Sequence, residues 1–377
     1  MRITLRDKHS IFIGSAMPSA VAFSILMLLV GMTILMAFGF SLERIRYLED
    51  KERAKSALYA MGLRVMSDST LAVDDYYRDY EPFKDGREVV LVRETMYGLY
   101  GLLEMEYQTS TVKPEATSKI MGTMRLPYKA GLLVPASDGG FVSICEDCLL
   151  SDPVMLPKGV YRTIRARKSR LALKDIKVSA SPEILPEFSP KAIAAVSAIY
   201  EICTDDEVLL DSRDTVPDRI ITGRVIRVDS SFCNSVQLFA TDSIIVSSEA
   251  ILKFPSGVFL NSSAGHILID SCAIVEGYAI VKDMDVISRT GAEKDISFHL
   301  SSTGRVRGLV YVDGTAQLSG HVTGAVYVKE PIEHTDKGIS RMTILSLTQT
   351  ENTGYAYPLI FEDALNRSII KEYETIL

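Results

Sequence analysis

The segments GRVRGLVYV at residues 304–312 and GHVTGAVYV at residues 320–328 share the pattern G-x-V-x-G-x-V-Y-V, identical at six of nine positions and displaced by 16 residues without a gap. A period of about 16 to 20 residues fits one coil of a β-helix, in which each coil buries Val, Ile or Leu and stacks on the next by parallel pairing. Outward from this pair, short apolar runs recur from Arg219 between Gly, Ser, Asp and Asn: VIRV, VQLF, SIIV, HILI, YAIV, LVYV and AVYV. An antiparallel sandwich would also supply many short strands, but the hairpin signal Asn-Gly is absent. The repeat therefore predicts a short right-handed β-helix with Val306 stacked on Val322, Val310 on Val326 and Val312 on Val328, all inside. Tyr311 and Tyr327 should stack outside, and Gly308 and Gly324 should hold equivalent corners. On this reading Val310→Asp unfolds the terminal coils whereas Tyr311→Asp is tolerated.

The other end of the chain is a different material. After His9 the next charged residue is Glu43, and Ala20 to Phe40 reads AVAFSILMLLVGMTILMAFGF. At ~1.5 Å per residue this makes a helix of roughly 31 Å, the thickness of a hydrocarbon core. A buried core helix would carry charge on some face, and a cleaved signal peptide would be shorter with a small-x-small site, so the segment reads as a retained membrane anchor. Arg2, Arg6 and Lys8 flank it on one side and Arg44, Arg46, Lys51, Arg53 and Lys55 on the other, a count that leans against export of the large domain. The helical pattern continues past Ser41, with Leu42, Ile45 and Leu48 one turn apart and then Ala54, Leu58, Met61 and Val65 on one face. That stripe faces either the chain's own β domain or a partner helix.

The expected organisation is a tail (1–14), the membrane helix and its exposed continuation (15–66), a β-rich middle domain (67–180), a Pro-rich linker with a short helix (181–205), the β-solenoid (206–330) and a C-terminal extension (331–377), a mainly β protein overall. In the middle domain, residues 88–109 read as strands with Gly98 and Gly101 at a bend. Residues 132–157 carry Cys145-Glu-Asp-Cys148, which reads as structural or disulfide-linked thiols, a metal half-site or a redox pair; Cys203, Cys233 and Cys272 are isolated. The one basic island runs from Tyr161 to Lys177 and offers Arg162, Arg165, Arg167, Lys168 and Arg170 to an anionic surface, or else serves as a solvated strand edge. Net charge of -7 and a pI near 5.4 exclude general nucleic-acid binding. The segment 181–190 holds three prolines and reads as a hinge, after which Ser189 caps a helix with Pro190 in its first turn.

Walker, HExxH, GxSxG and GxGxxG motifs are missing. A polysaccharide lyase would gather acids at one coil position, but Asp270, Asp283, Asp285 and Asp313 share no register. An acyltransferase would show a hexapeptide repeat and a catalytic His, and His266, His299 and His321 follow none. No catalytic, cofactor or metal residue is assigned, and the chain reads as a non-enzyme.

Four stretches carry a family likeness: Pro18 to Phe40 followed by a charged helix, then GLLVPASDGGFVSICEDCLLSDPVMLPKGVYR, then VQLFATDSIIVSSEAILKFPSGVFL, then GLVYVDGTAQLSGHVTGAVYV. Together they resemble uncharacterised membrane-anchored proteins of Bacteroidota, similar in layout to pilin-like components of type II secretion or type IV pilus systems, and the last stretch resembles bactofilin-type β-helix repeats. The resemblance implies an inner-membrane, single-pass subunit of an envelope assembly with a periplasmic head, contacting other subunits through its N-terminal helix. Bactofilin-like polymerisation is the alternative, and a polysaccharide-active β-helix enzyme a second one. The chain departs from the pilin pattern: Gly14 is followed by Ser15, and Ser19 stands where a pilin has Glu, which points to a minor or unprocessed subunit.

Overall fold

The computed structural model describes residues 10–67, 76–82, 89–108, 115–136, 140–151, 153–164, 176–203, 206–262, 265–284, 296–335, 338–352, 354–361 and 367–375. Most of the N-terminal tail, Arg165, Arg167, Lys168 and Arg170 of the basic island, and Asp285 lie outside these residues. The protein is mainly β, with one long apolar helix at its N-terminal end.

That helix, α1 (Ser10–Ser67), runs without a break from the apolar segment into the charged one. Its side chains from Pro18 to Glu49 are exposed, and over Met17–Val65 it is long and apolar enough to cross a membrane. Beyond Arg53 one face turns inward. Ala54, Ala57, Leu58, Met61 and Val65 pack on Val90, Val92, Leu103, Met105, Tyr107 and Met121. The predicted stripe thus docks on the chain's own β domain. Burying Leu58, Met61 and Val65 contributes on the order of 1.5–3 kcal/mol each, which fixes the angle at which the helix leaves the β body. Leu42, Ile45 and Leu48 remain exposed.

The sheet beneath α1 is an antiparallel meander of β1 (Arg78–Tyr80), β2 (Val89–Tyr97), β3 (Tyr100–Gln108) and β4 (Glu115–Thr123), closed by the strand Arg367–Thr375 beside β4. Gly98 makes the β2–β3 turn with φ +61°. Gly101 lies one residue into β3, where a Cβ would come within 2.8 Å of the Leu359 side chain. The strand Arg367–Thr375 therefore belongs to the sheet that seats α1.

A larger sheet is built from parallel neighbours. In chain order the ten strands along its main path, six shorter ones pairing off that path, are β5 (Leu132–Leu133), β6 (Val154–Leu156), β7 (Val178–Ala180), β8 (Glu207–Leu210), β9 (Arg219–Val228), β10 (Val236–Val246), β11 (Ile251–Leu260), β12 (Ile274–Val281), β13 (Arg305–Leu318) and β14 (His321–Thr335). Their spatial order is β7-β6-β5-β14-β13-β12-β11-β10-β9-β8, and the six long strands β9 to β14 form a barrel-like parallel sheet. The 16-residue repeat sets the β13–β14 register: Val306 pairs with Val322, Val310 with Val326 and Val312 with Val328, all fully or almost fully buried. The column continues through Leu238, Val258, Ala279, Val310, Val326 and Leu132, so residues from the middle of the chain extend the same apolar core. Gly277, Gly308 and Gly324 form a column with φ between +134° and +139°. A Cβ on Gly308 would lie 1.8 Å from the Gly277 carbonyl oxygen, so strands approach too closely here for any side chain.

The outward tyrosines require a correction. Tyr311 and Tyr327 are register partners on the face opposite the valines, yet they are 1% and 0% exposed. That face carries the column Phe239, Phe259, Ile280, Tyr311, Tyr327 and is covered by a second apolar layer. Phe188 lies 5.1 Å from Tyr311, and Phe361 lies 6.2 Å and 6.3 Å from Tyr311 and Tyr327. Their hydroxyls donate to the carbonyls of Pro186 (3.1 Å) and Tyr128 (2.7 Å). The Pro-rich segment expected as a hinge forms part of this cover: Leu185 and Phe188 are buried, and α2 (Pro190–Glu201) adds Ala192 and Val196. The Ser189 cap is as expected, its hydroxyl accepting from Ala192 N at 3.2 Å.

Candidate functional site

The antiparallel sheet under α1 and the parallel sheet meet at the β2–β3 turn. Gln237 of β10, Gly257 of β11 and Tyr278 of β12 are neighbours in register. Because Gly257 has no side chain, the Tyr278 ring lies across it, where a Cβ would come within 2.2 Å of the ring. The Tyr278 hydroxyl thereby donates to Gln237 Oε1 at 2.7 Å. The same oxygen accepts from Leu99 N at 3.1 Å, and Gln237 Nε2 donates to the Tyr97 carbonyl at 3.0 Å. One buried amide thus satisfies both sides of the turn, and Gly98 is required there because a Cβ would lie 2.0 Å from Gln237 Oε1. Leu359 N, which donates to the Leu99 carbonyl at 2.8 Å, locks the turn from its other side.

Two aromatic hydroxyls at this seam are buried without a hydrogen-bond partner, those of Tyr97 and Tyr100. Burial, helped by Asp218, pushes the Tyr97 phenol up to about 12, and burial alone pushes Tyr100 further. Neither ionises at neutral pH. The seam is a mechanical joint, and sequence reasoning missed it: a Gln inside VQLF and a Gly inside SGVFL carry no signal of their own.

Two clefts flank the aromatic layer. One of about 400 Å³ is lined by Arg125, Leu126, Tyr128, Lys129, Glu351 and Tyr357. The other, of about 200 Å³, lies beside Glu183, Glu187 and the ion ladder of Lys282, Asp313 and Lys329. In that ladder Lys329 Nζ is 2.9 Å from Asp313 Oδ1 and Lys282 Nζ is 3.8 Å from Oδ2. Of the acids singled out from sequence, Asp313 lines the second of these clefts, where it is held by these two lysines.

The remaining sequence candidates fall elsewhere. Asp270 accepts from Ser271 N at 2.6 Å and Ser248 Oγ at 2.9 Å, contacts that hold its carboxyl below the usual range. His266 opens the short strand His266–Ile269 and His321 opens β14, both exposed, and Asp283 is half-buried. His299 pairs in register with Gln317, whose Nε2 donates to Glu333 Oε1 at 3.1 Å. Burial lowers the His299 pKa and raises that of Glu333, whose other oxygen is buried without a partner. Glu333 was not foreseen, and this chain lines neither cleft.

The CxxC pair consists of two buried free thiols. Cys148 donates to the Ile344 carbonyl at 3.6 Å, and burial pushes its thiol up to about 12, the opposite of an activated thiolate. Among the described residues no three His, Cys, Asp or Glu side chains are grouped to hold a metal ion. At the near end of the basic island, the Arg162 guanidinium sits 4.9 Å from the Phe141 ring, which Lys158 also approaches at 5.2 Å. Comparison with protein-family models, with curated proteins and with solved structures yields no match.

Proposed function

We propose that this protein is a membrane-anchored structural subunit of a cell-envelope assembly, whose parallel sheet is a short β-solenoid carried rigidly on a single membrane helix. The observation that carries this reading is the continuity of α1: the same helix is apolar enough to span a bilayer and, a few turns later, is buried in its own sheet. A flexible tether would suffice to localise an enzyme, whereas a docked helix transmits position and force. The Gln237 joint extends that rigidity to the parallel sheet. A minor pilin-like or pseudopilin-like component is the particular form that the layout resembles, with envelope subunits as neighbours along α1.

The strands β7 and β8, each with one neighbour in the order of the parallel sheet among the described residues, favour a second reading as a bactofilin-like polymerising scaffold. Cross-linking and capture from the native membrane separate the two. Recovery of pilin-like or secretion-system subunits supports the first, self-polymers alone support the second, and recovery of the chain as an isolated monomer counts against both.

A further inference from the structure

Resting on the membrane-anchored reading, and against the periplasmic head that the pilin-like resemblance implies, we infer that the β head lies on the positive-inside face of the bilayer, with Arg44 and Arg46 forming a collar for anionic lipid headgroups. The geometry sets the heights. Because α1 is continuous, each residue past Phe40 stands ~1.5 Å further from the hydrocarbon core. Arg44 and Arg46 are then about 6 Å and 9 Å out, the first within and the second at the outer edge of a headgroup layer roughly 5–8 Å thick. Ala54, the first α1 residue buried in the β body, is about 21 Å out. Among the described residues none from the head covers the two arginines, and both are exposed. Their long side chains reach back to phosphates while their stems cover the exposed apolar surface of Leu42 and Ile45.

The charge distribution sets the side. Five Lys or Arg follow the apolar segment within 15 residues of Phe40, against Arg2, Arg6 and Lys8 before it. Topology follows the side with more Lys and Arg, because the cytoplasmic leaflet is anionic and translocating cations is costly. Glu43, Glu49, Asp50 and Glu52 in the same flank weigh little in that count.

The test uses the full-length chain in a bacterial inner membrane. Alkaline carbonate washing comes first: retention in the pellet supports the anchored reading, and release overturns that reading independently of orientation. Spheroplasts are then treated with a membrane-impermeant maleimide-polyethylene glycol, with Cys233 and Cys272 as exposed reporters. Protection of both, followed by labelling after lysis, is the expected result; labelling of intact spheroplasts overturns the inside orientation. In the R44Q/R46Q variant the labelled fraction in spheroplasts should rise several-fold. An unchanged fraction overturns the collar while leaving the orientation to the wild-type result.

Discussion

Replacing Gln237 with leucine removes three hydrogen bonds while keeping the side chain's approximate volume. The leucine leaves the Leu99 amide and the Tyr278 hydroxyl as buried donors and the Tyr97 carbonyl as a partly buried acceptor. A buried polar group left unpaired costs about 1–3 kcal/mol. With the carbonyl partly solvated, Gln237→Leu should destabilise the seam by about 3 kcal/mol. Tyr278→Phe alone removes a single donor, and Gln237 Oε1 keeps the Leu99 amide, so the cost should be about 1 kcal/mol. In the Gln237→Leu background, however, Tyr278→Phe removes an orphan and should be neutral or stabilising, a coupling the double-mutant cycle reads directly. Denaturant unfolding of the full chain in detergent gives the free energies, and hydrogen exchange at the Leu99 amide gives the local opening. If Gln237→Leu leaves both the unfolding midpoint and the Leu99 exchange rate unchanged, the turn is not held by this amide.

Tyr100→Phe deletes a buried hydroxyl that has no partner and should leave the thermal midpoint unchanged or raise it; a clear drop would reveal a partner for that oxygen. Val310→Asp and Tyr311→Asp should both abolish cooperative unfolding, since each puts a carboxylate into a closed apolar layer, whereas Tyr311→Phe should cost only about 1 kcal/mol for the lost bond to Pro186. Equal tolerance of Tyr311→Asp and Tyr311→Phe would show the cover to be absent in solution. Glu333 has a folded pKa above its ordinary value of 4.5, so the folded state holds its proton more tightly and stability should fall as pH rises from about 4.5 through the folded pKa. Glu333→Gln should flatten that decline in unfolding titrations, and an unaltered slope would assign it to another group. Gly324→Ala must accommodate a Cβ 2.0 Å from the Gly308 carbonyl oxygen and should yield insoluble or non-cooperative protein; a normal melt would contradict the close strand approach.

What could be read from the chain followed its periodicities. Ala54, Leu58, Met61 and Val65 recur at helical spacing, and they are the α1 face that is buried. The 16-residue repeat fixed which valines pair, because parallel register superposes equivalent positions. What the repeat could not convey is what lies on its far side. Alternation places Tyr311 opposite Val310, but whether that face meets water depends on Phe188 and Phe361, far away in the chain and without any periodic relation to it. For the same reason β5 to β7, lying N-terminal to α2, gave no sign of joining a sheet whose long strands begin at Arg219. The joint was least legible of all: its specificity rests on the missing side chain of Gly257 and on one amide.

The pairing of the strand Arg367–Thr375 with β4 has a consequence for biosynthesis. A ribosome making ~5–20 residues per second needs roughly 10–50 s to travel from Thr123 to Arg367. Throughout that interval the apolar helix has already emerged, while the sheet that must seat it still has an open hydrogen-bonding edge along β4. An unpaired edge held close to other nascent chains is a site for wrong pairing. Maturation of the helix's seat is consequently a late event, and a prematurely terminated product would carry α1 docked on an unfinished sheet, marked by that edge for capture by chaperones or proteases.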